Sequence, residues 1–219
     1  PYLLHIYQAW NNCHASAIPA EPDDLKVLEI GSGGNLSNDY VPRDRLVTSD
    51  IIPLEDVDLT LDAQELDREF SPESLRAITM INVLHHIPDS SRFLSAAEHS
   101  LMPGGVMSFV EPWPSMWSKP IYRHLHHEPF EMDAEEWGCD ENPLTGANGA
   151  IPWMIFERDR DRLEKEHPNL EIVSVRPMMP FLYLVSGGVS MRQLQPGFLL
   201  GFWRGLERLL SPLNRQFSM

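Results

Sequence analysis

Val27-Leu28-Glu29-Ile30-Gly31-Ser32-Gly33-Gly34-Asn35 is the stretch whose reading decides the fold. Apolar residues run from Leu25 to Ile30, broken by Lys26 and one acid, and stop at a glycine cluster. A short apolar run bounded this way reads as a buried parallel strand turning into a loop. Gly31 and Gly33 open backbone angles closed to other residues and let a ligand approach the main chain. A helix starting just past the loop would point its free N–H groups at that ligand.

Two kinds of ligand compete for such a loop. The dinucleotide fingerprint G-x-G-x-x-G puts a third glycine where Leu36 stands, so the chain departs from it. The pattern here is acid-x-Gly-x-Gly, with Glu29 just ahead of Gly31. A carboxylate so near the turn repels a pyrophosphate and suits a sulfonium and an ammonium group. A tight strand-to-helix turn without any ligand is the plain alternative.

Working outward, residues 45–50 read as a second strand ending in Asp50. The spacing from Gly31 is close to the ~20 residues at which a doubly wound fold holds an acid over a ribose. Residues 58–63 give a short third strand followed by Asp62-Ala63, with Asp62 equally suited to cap the turn Gln64-Glu65-Leu66. Residues 75–82 form a fourth strand, and Asp89 or Ser90 caps a helix over 91–100 with Phe93, Leu94 and Ala97 inward. Leu101-Met102-Pro103-Gly104-Gly105 then turns into a fifth strand, 106–110, ending at Glu111-Pro112. Strands alternating with helices in this way predict an α/β fold with a doubly wound, mostly parallel sheet.

The loop, the spaced Asp50, Asp62-Ala63, Asn82-Val83-Leu84-His85-His86-Ile87-Pro88-Asp89 and Leu101-Met102-Pro103-Gly104-Gly105 stand in a telling order. Over residues 25–112 the chain resembles the class I S-adenosylmethionine-dependent methyltransferases, in their small-molecule, type 11-like branch. That resemblance implies a Rossmann-like sheet and S-adenosylmethionine as cofactor. It implies a cofactor site of Glu29, Gly31, Ser32, Gly33, Asp50, Ile51, Asp62, Ala63, Asn82 and Val83. It places Asp62 on the adenine amine and the following backbone N–H on a ring nitrogen. His86 matches a histidine common after strand four in that family, where it is often structural. With its neighbour His85, and with Glu111 at the strand end where open sheets bind ligands, it makes the candidate catalytic set.

Composition narrows the partners. Of 219 residues, 42% are hydrophobic, enough for one domain with a core of its own. A formal net charge of −15 argues against nucleic acid, which needs clustered Lys and Arg against phosphates. Cys13 and Cys139 stand in unrelated contexts and form no disulfide frame, which fits a reduced cytoplasmic setting. No signal-peptide pattern is read, and no apolar run reaches the ~18 residues of a membrane span. The chain opens on Pro1, so both ends read as trimmed.

The remainder is organised as one domain of 1–219, with a cofactor-binding half (25–112), a cap (113–153) and a C-terminal half (154–219). Residues 2–15 have helical spacing and are expected to lie across the sheet edge. The cap carries too many prolines for sheet and is expected to cover the site, with a short helix over 117–126. A helix over 155–167 and a sixth strand over 170–176 follow, and 181–185 extends that strand or forms a hairpin. His124-Leu125-His126-His127-Glu128 would bring His124 and His127 to one helix face. That is short of the four ligands of a closed metal site, and no metal is expected. Residues 197–213 form an amphipathic helix suited to core packing, a homodimer face or peripheral membrane contact. A seventh strand is not visible after Leu213. The expected function is methyl transfer, expected to be O-methylation, to a small-molecule, sugar or lipid-linked acceptor. A non-catalytic binding or membrane-docked subunit on the same fold is the alternative.

Overall fold

β1 (Lys26–Ile30) lies at the centre of a five-stranded, all-parallel sheet with β2 (Leu46–Asp50), β3 (Leu59–Thr60), β4 (Leu75–Ile81) and β5 (Leu101–Val110). The structure is a computed structural model that describes residues 2–34, 39–140, 142, 146–179, 181–187 and 195–219. Strand order is β3-β2-β1-β4-β5, with Ile30 level with Ser49 on one side and Met80 on the other. Val27, Leu28 and Ile30 are buried, as are Ala77, Ile78 and Met80, which is what a central parallel strand covered on both faces requires. The chain winds outward from β1 to β3, then crosses back to β4 beyond β1. Strand order therefore reverses between β1 and β4, and the crevice at their carboxyl ends is where such sheets bind ligands.

Helices cover both faces. On one, α2 (Leu66–Glu69) and α3 (Ser90–Ser100) pack with Leu28, Ile30, Ile78 and Met80 in the principal core. Asp89 caps α3 by accepting the Arg92 N–H at 2.9 Å, and Phe93, Leu94 and Ala97 are its buried side. On the other face α1 (Tyr2–Ala17) buries Tyr2, Ile6, Tyr7 and Trp10 against Ile81 and Val110. His14 of α1 is tied to Ser108 of β5 at 2.8 Å.

The described cap residues contain α4 (Ser118–His124), then coil and turns as far as residue 150. The expected helix over 155–167 is α5 (Ile151–Trp153), a π-helical turn over Met154–Arg158, and α6 (Arg160–Glu166). The tail holds α8 (Leu200–Leu210) and α9 (Asn214–Phe217), preceded by α7 (Leu182–Ser186).

Three expectations are corrected. Among the described residues no α-helix follows the glycine loop: a 3-10 turn covers Ser32–Gly34, and turns and coil cover residues 39–45 before β2. Residues 35–38, Asn35 and Leu36 among them, lie outside the described ones. Residues 170–176 make no strand: they keep the predicted alternation, with Leu170 and Ile172 against the core and Val173 83% exposed, but join no ladder. Residues 181–185 are not a hairpin, because Glu207 of α8 accepts the Phe181 and Leu182 N–H groups at 3.0 and 2.7 Å. Those are the free donors of a helix start, and satisfying them from outside favours the helix.

Candidate active site

Gly31 closes β1 with φ +77°, and its N–H donates to the Ser49 carbonyl at 2.8 Å. A Cβ there would stand 2.2 Å from Val83 Cγ2, so the carboxyl ends of β1 and β4 meet at a position only glycine fills. Asn82 is left-handed as well, at φ +54°, and its N–H is held by the Val110 carbonyl. A cavity of about 1410 Å³ opens along this seam.

Most of the sequence-predicted cofactor residues line that cavity. Gly31, Asn82 and Val83 form its floor at the switch point, and Asp50 and Ile51 end β2 beside it. Asp62 and Ala63 line it after β3. The Asp50 carboxylate accepts the Gly33 N–H on one oxygen and the Ile52 N–H on the other, both at 3.1 Å. Each oxygen keeps a further lone pair, so the group is fixed in place and can still accept from a diol. Asp62 does cap the turn that follows, taking the Gln64 N–H at 2.9 Å, and it faces the cavity from that position.

Ser32 and Gly33 stand off the cavity. The Ser32 hydroxyl donates back to the Glu29 carbonyl at 3.2 Å, and the Gly33 N–H is engaged by Asp50. Glu29 lines the cavity but is buried, and the Tyr40 hydroxyl donates to its Oε2 at 2.6 Å while also meeting Thr79 Oγ1 at 2.8 Å. Burial and the Glu29 charge push the Tyr40 phenol far up, so it stays a donor. Tyr40 was not legible as a partner: nothing in the local sequence marks it.

Val83 joins this cradle to the predicted catalytic residues. Glu111, just past β5, accepts the Val83 and Leu84 N–H groups on Oε1 at 2.9 and 2.8 Å, and its Oε2 lies 2.5 Å from His85 Nδ1. These are the free donors of the 3-10 turn Leu84–His86. The other side of the imidazole faces Glu128, whose Oε2 is 3.5 Å from His85 Nε2. His86 Nε2 is 3.7 Å from Glu128 Oε1, and His86 Nδ1 is 2.9 Å from the Gly146 carbonyl. The structure thus brings His85, His86 and Glu111 together, and adds Glu128.

The electrostatics follow from burial and these carboxylates. Burial alone would lower the His85 pKa, but Glu111 and Glu128 outweigh it and raise it to about 9. The hydrogen bond with His85 holds Glu128 down to about 2. His86 is lowered by its own burial and by the charge of His85.

The predicted helix face of His124 and His127 does not form, because α4 stops at His124 and the chain turns into coil. Glu128 turns inward instead. The sequence signal for it was the histidine-rich run it ends, which pointed to His124 and His127 and did not reveal His85 and His86.

No protein-family model and no curated protein matches the chain. Among solved structures it is similar to the trans-methyltransferase CalH in complex with SAH, at 19% identity over 47% of this chain and 35% of that one, with a TM-score of 0.34. It is also similar to the carbon methyltransferase CurJ, at 23% identity over 48% of this chain and 34% of that one, with a TM-score of 0.36. The matched region spans about a third of the length of each of those chains.

Proposed function

We propose that this chain is an S-adenosylmethionine-dependent methyltransferase acting on the oxygen of a small-molecule, sugar or lipid-linked acceptor. The observation that carries the reading is that Val83 belongs to two structures at once. Its side chain walls the Gly31 turn, and its N–H is held by the Glu111 that contacts His85. A donor cradle and a proton-accepting cluster therefore share one cavity.

The residues fit the cofactor. Asp50 offers fixed oxygens to a ribose diol, Asp62 and Ala63 line the cavity and are the residues we assign to the adenine edge, and Gly31 lines it without a side chain. S-adenosylmethionine supplies a methyl carbon already activated for in-line displacement. The protein's own contribution is then position and proton removal. Glu111 and Glu128 fix the His85 ring, and His86, kept neutral by its burial and by the His85 charge, receives the acceptor's proton. Tyr7, Trp10, Trp113 and Tyr122 line the same cavity and supply apolar walls for the acceptor.

A lipid-linked acceptor is the subclass favoured by the tail. Phe198, Phe202, Leu209 and Leu213 are exposed by 84%, 62%, 75% and 44% along one side of α8 and its flanks. Residues 197–219 carry Arg204, Arg208 and Arg215 against the single acid Glu207, in a chain whose net charge is −15. Glu207 faces inward onto α7. An apolar face with basic flanks suits an anionic lipid surface. Among the described residues no helix is long and apolar enough to cross a membrane.

The test of the cofactor site is S-adenosylhomocysteine binding to the wild type and to Asp50→Ala. Charge-assisted hydrogen bonds are worth about 1.5–3 kcal/mol, so the variant should bind roughly tenfold to a hundredfold more weakly. Equal affinity would remove Asp50 from the site and the reading with it.

A further inference from the structure

Two imidazoles and a carboxylate converge in the cavity wall with their outer atoms already committed. His85 Nδ1 faces Glu111 Oε2 at 2.5 Å, and His86 Nδ1 faces the Gly146 carbonyl at 2.9 Å. An acceptor on each Nδ1 keeps a proton on that nitrogen, so Nε2 is the atom of each ring that can give up its proton, or offer its lone pair, to a metal ion. Both Nε2 atoms point at Glu128, at 3.5 and 3.7 Å. The Glu128 carboxylate is a ready counter-charge for a cation seated between the two rings, in place of the His85 Nε2 proton.

We propose that His85 Nε2, His86 Nε2 and the Glu128 carboxylate bind a divalent first-row transition ion, with its remaining positions open to the cavity. One ligand atom from each residue lies within 4.8 Å of the other two. Two ligands about 2.1 Å from a tetrahedral ion stand about 3.4 Å apart, so the His85 and His86 Nε2 atoms, 3.5 and 3.7 Å from the two different oxygens of Glu128, have to draw in from a group spanning up to 4.8 Å. Imidazole–carboxylate sets of this kind, two histidines and one acid with open positions, favour zinc or iron(II) over magnesium or calcium. The outer partners are those metal-bound histidines use: a carboxylate for one ring and a backbone carbonyl for the other.

The neighbouring histidines are not equivalent. His126 Nδ1 accepts the Glu128 N–H at 3.3 Å, so that nitrogen is engaged. His127 meets Glu128 at 3.4 Å from the solvent side and is 67% exposed. His124 is exposed and is outside the group.

The site deepens the methyl-transfer reading and rests on it only for what the ion would hold. An oxygen acceptor bound to the ion would lose its proton more readily, so the ion would take over from His86 the task of activating it. Catechols, enols and hydroxy acids are the acceptor chemistries that present such oxygens.

The experiment is titration of the untagged, chelator-stripped full chain with Co2+ and with Zn2+, by calorimetry and, for Co2+, by visible ligand-field absorption. No methyl donor is present, so failure of the methyl-transfer reading would leave the result standing. The expected result is one ion per chain, with a Co2+ spectrum of low-coordinate nitrogen and oxygen ligands. Glu128→Gln and His86→Ala, each checked by thermal melting, should bind at least tenfold more weakly, while His124→Ala binds as the wild type does. Absence of a stoichiometric ion in the wild type overturns the proposal. So does an ion that both Glu128→Gln and His86→Ala bind unchanged.

Discussion

The Glu111 carboxylate and the His85 imidazole are locked together, Oε2 to Nδ1 at 2.5 Å, while the other oxygen of Glu111 holds the two N–H groups at the end of β4. One side chain thus fixes both the turn and the ring. Glu111→Gln keeps an acceptor for the turn but offers an amide where His85 needs a carboxylate. Methyl-transfer rate should fall roughly 10²-fold or more, with S-adenosylmethionine affinity almost unchanged. A rate within a few-fold of the wild type, measured once an acceptor is in hand, would make Glu111 a structural residue only.

Gly31 and Val83 make the second prediction. Gly31→Ala must put a Cβ 2.2 Å from Val83 Cγ2 and hold alanine at φ +77°. The left-handed backbone alone costs about 1–2 kcal/mol, and the contact adds to it. Val83→Ala in the same chain should recover the contact part and leave the backbone part. Urea unfolding of the single and double variants reads both; equal stability of the two would show that the contact is not rigid.

His14 carries a pH dependence away from the cluster. It is buried on α1, its Nδ1 is tied to Ser108, and its Nε2 has no hydrogen-bond partner among the described residues. Burial lowers its pKa from the ordinary value to about 4. Between about pH 6.5 and that value the unfolded chain takes up a proton that the folded chain refuses. Stability should therefore fall as pH drops through this window, by up to about 1.4 kcal/mol per pH unit from this group. His14→Gln should flatten that part of the profile. An unchanged slope in urea midpoints between pH 7 and pH 4.5 would place the dependence elsewhere.

Phe202 and Leu209 test the tail. Both are exposed on α8, and an aspartate at each should leave melting within a degree or two while abolishing flotation with anionic liposomes. If the wild type does not float but sediments as a dimer that Phe202→Asp splits, the face meets a second copy instead of a lipid surface.

The first half of the chain was legible because its signals are local. The apolar run before Gly31 is buried on both faces as β1, and Asp89 caps α3 where its position before Phe93 and Leu94 said it would. A doubly wound, mostly parallel sheet follows from alternating strand and helix patterns, whereas the order β3-β2-β1-β4-β5 and the switch point come from the fold itself. The second half was less legible because short alternating runs fix the backbone as extended without naming a partner. Residues 170–176 keep the alternation and find no ladder, and 181–185 become helix once Glu207, distant in sequence, caps them. The site divides the same way. Gly31, Asp50, Asp62 and Asn82 are read from their place at strand ends, whereas the approach of Glu128 to His85 and of Tyr40 to Glu29 depends on how distant segments fold together.

The central claim, a methyl-donor site at the β1–β4 switch point, is tested most directly by calorimetric titration of the wild type with S-adenosylmethionine, S-adenosylhomocysteine and NAD. Micromolar binding of the first two at one site per chain, and none of NAD, is the expected result. Binding of NAD alone, or of none of the three, would contradict it.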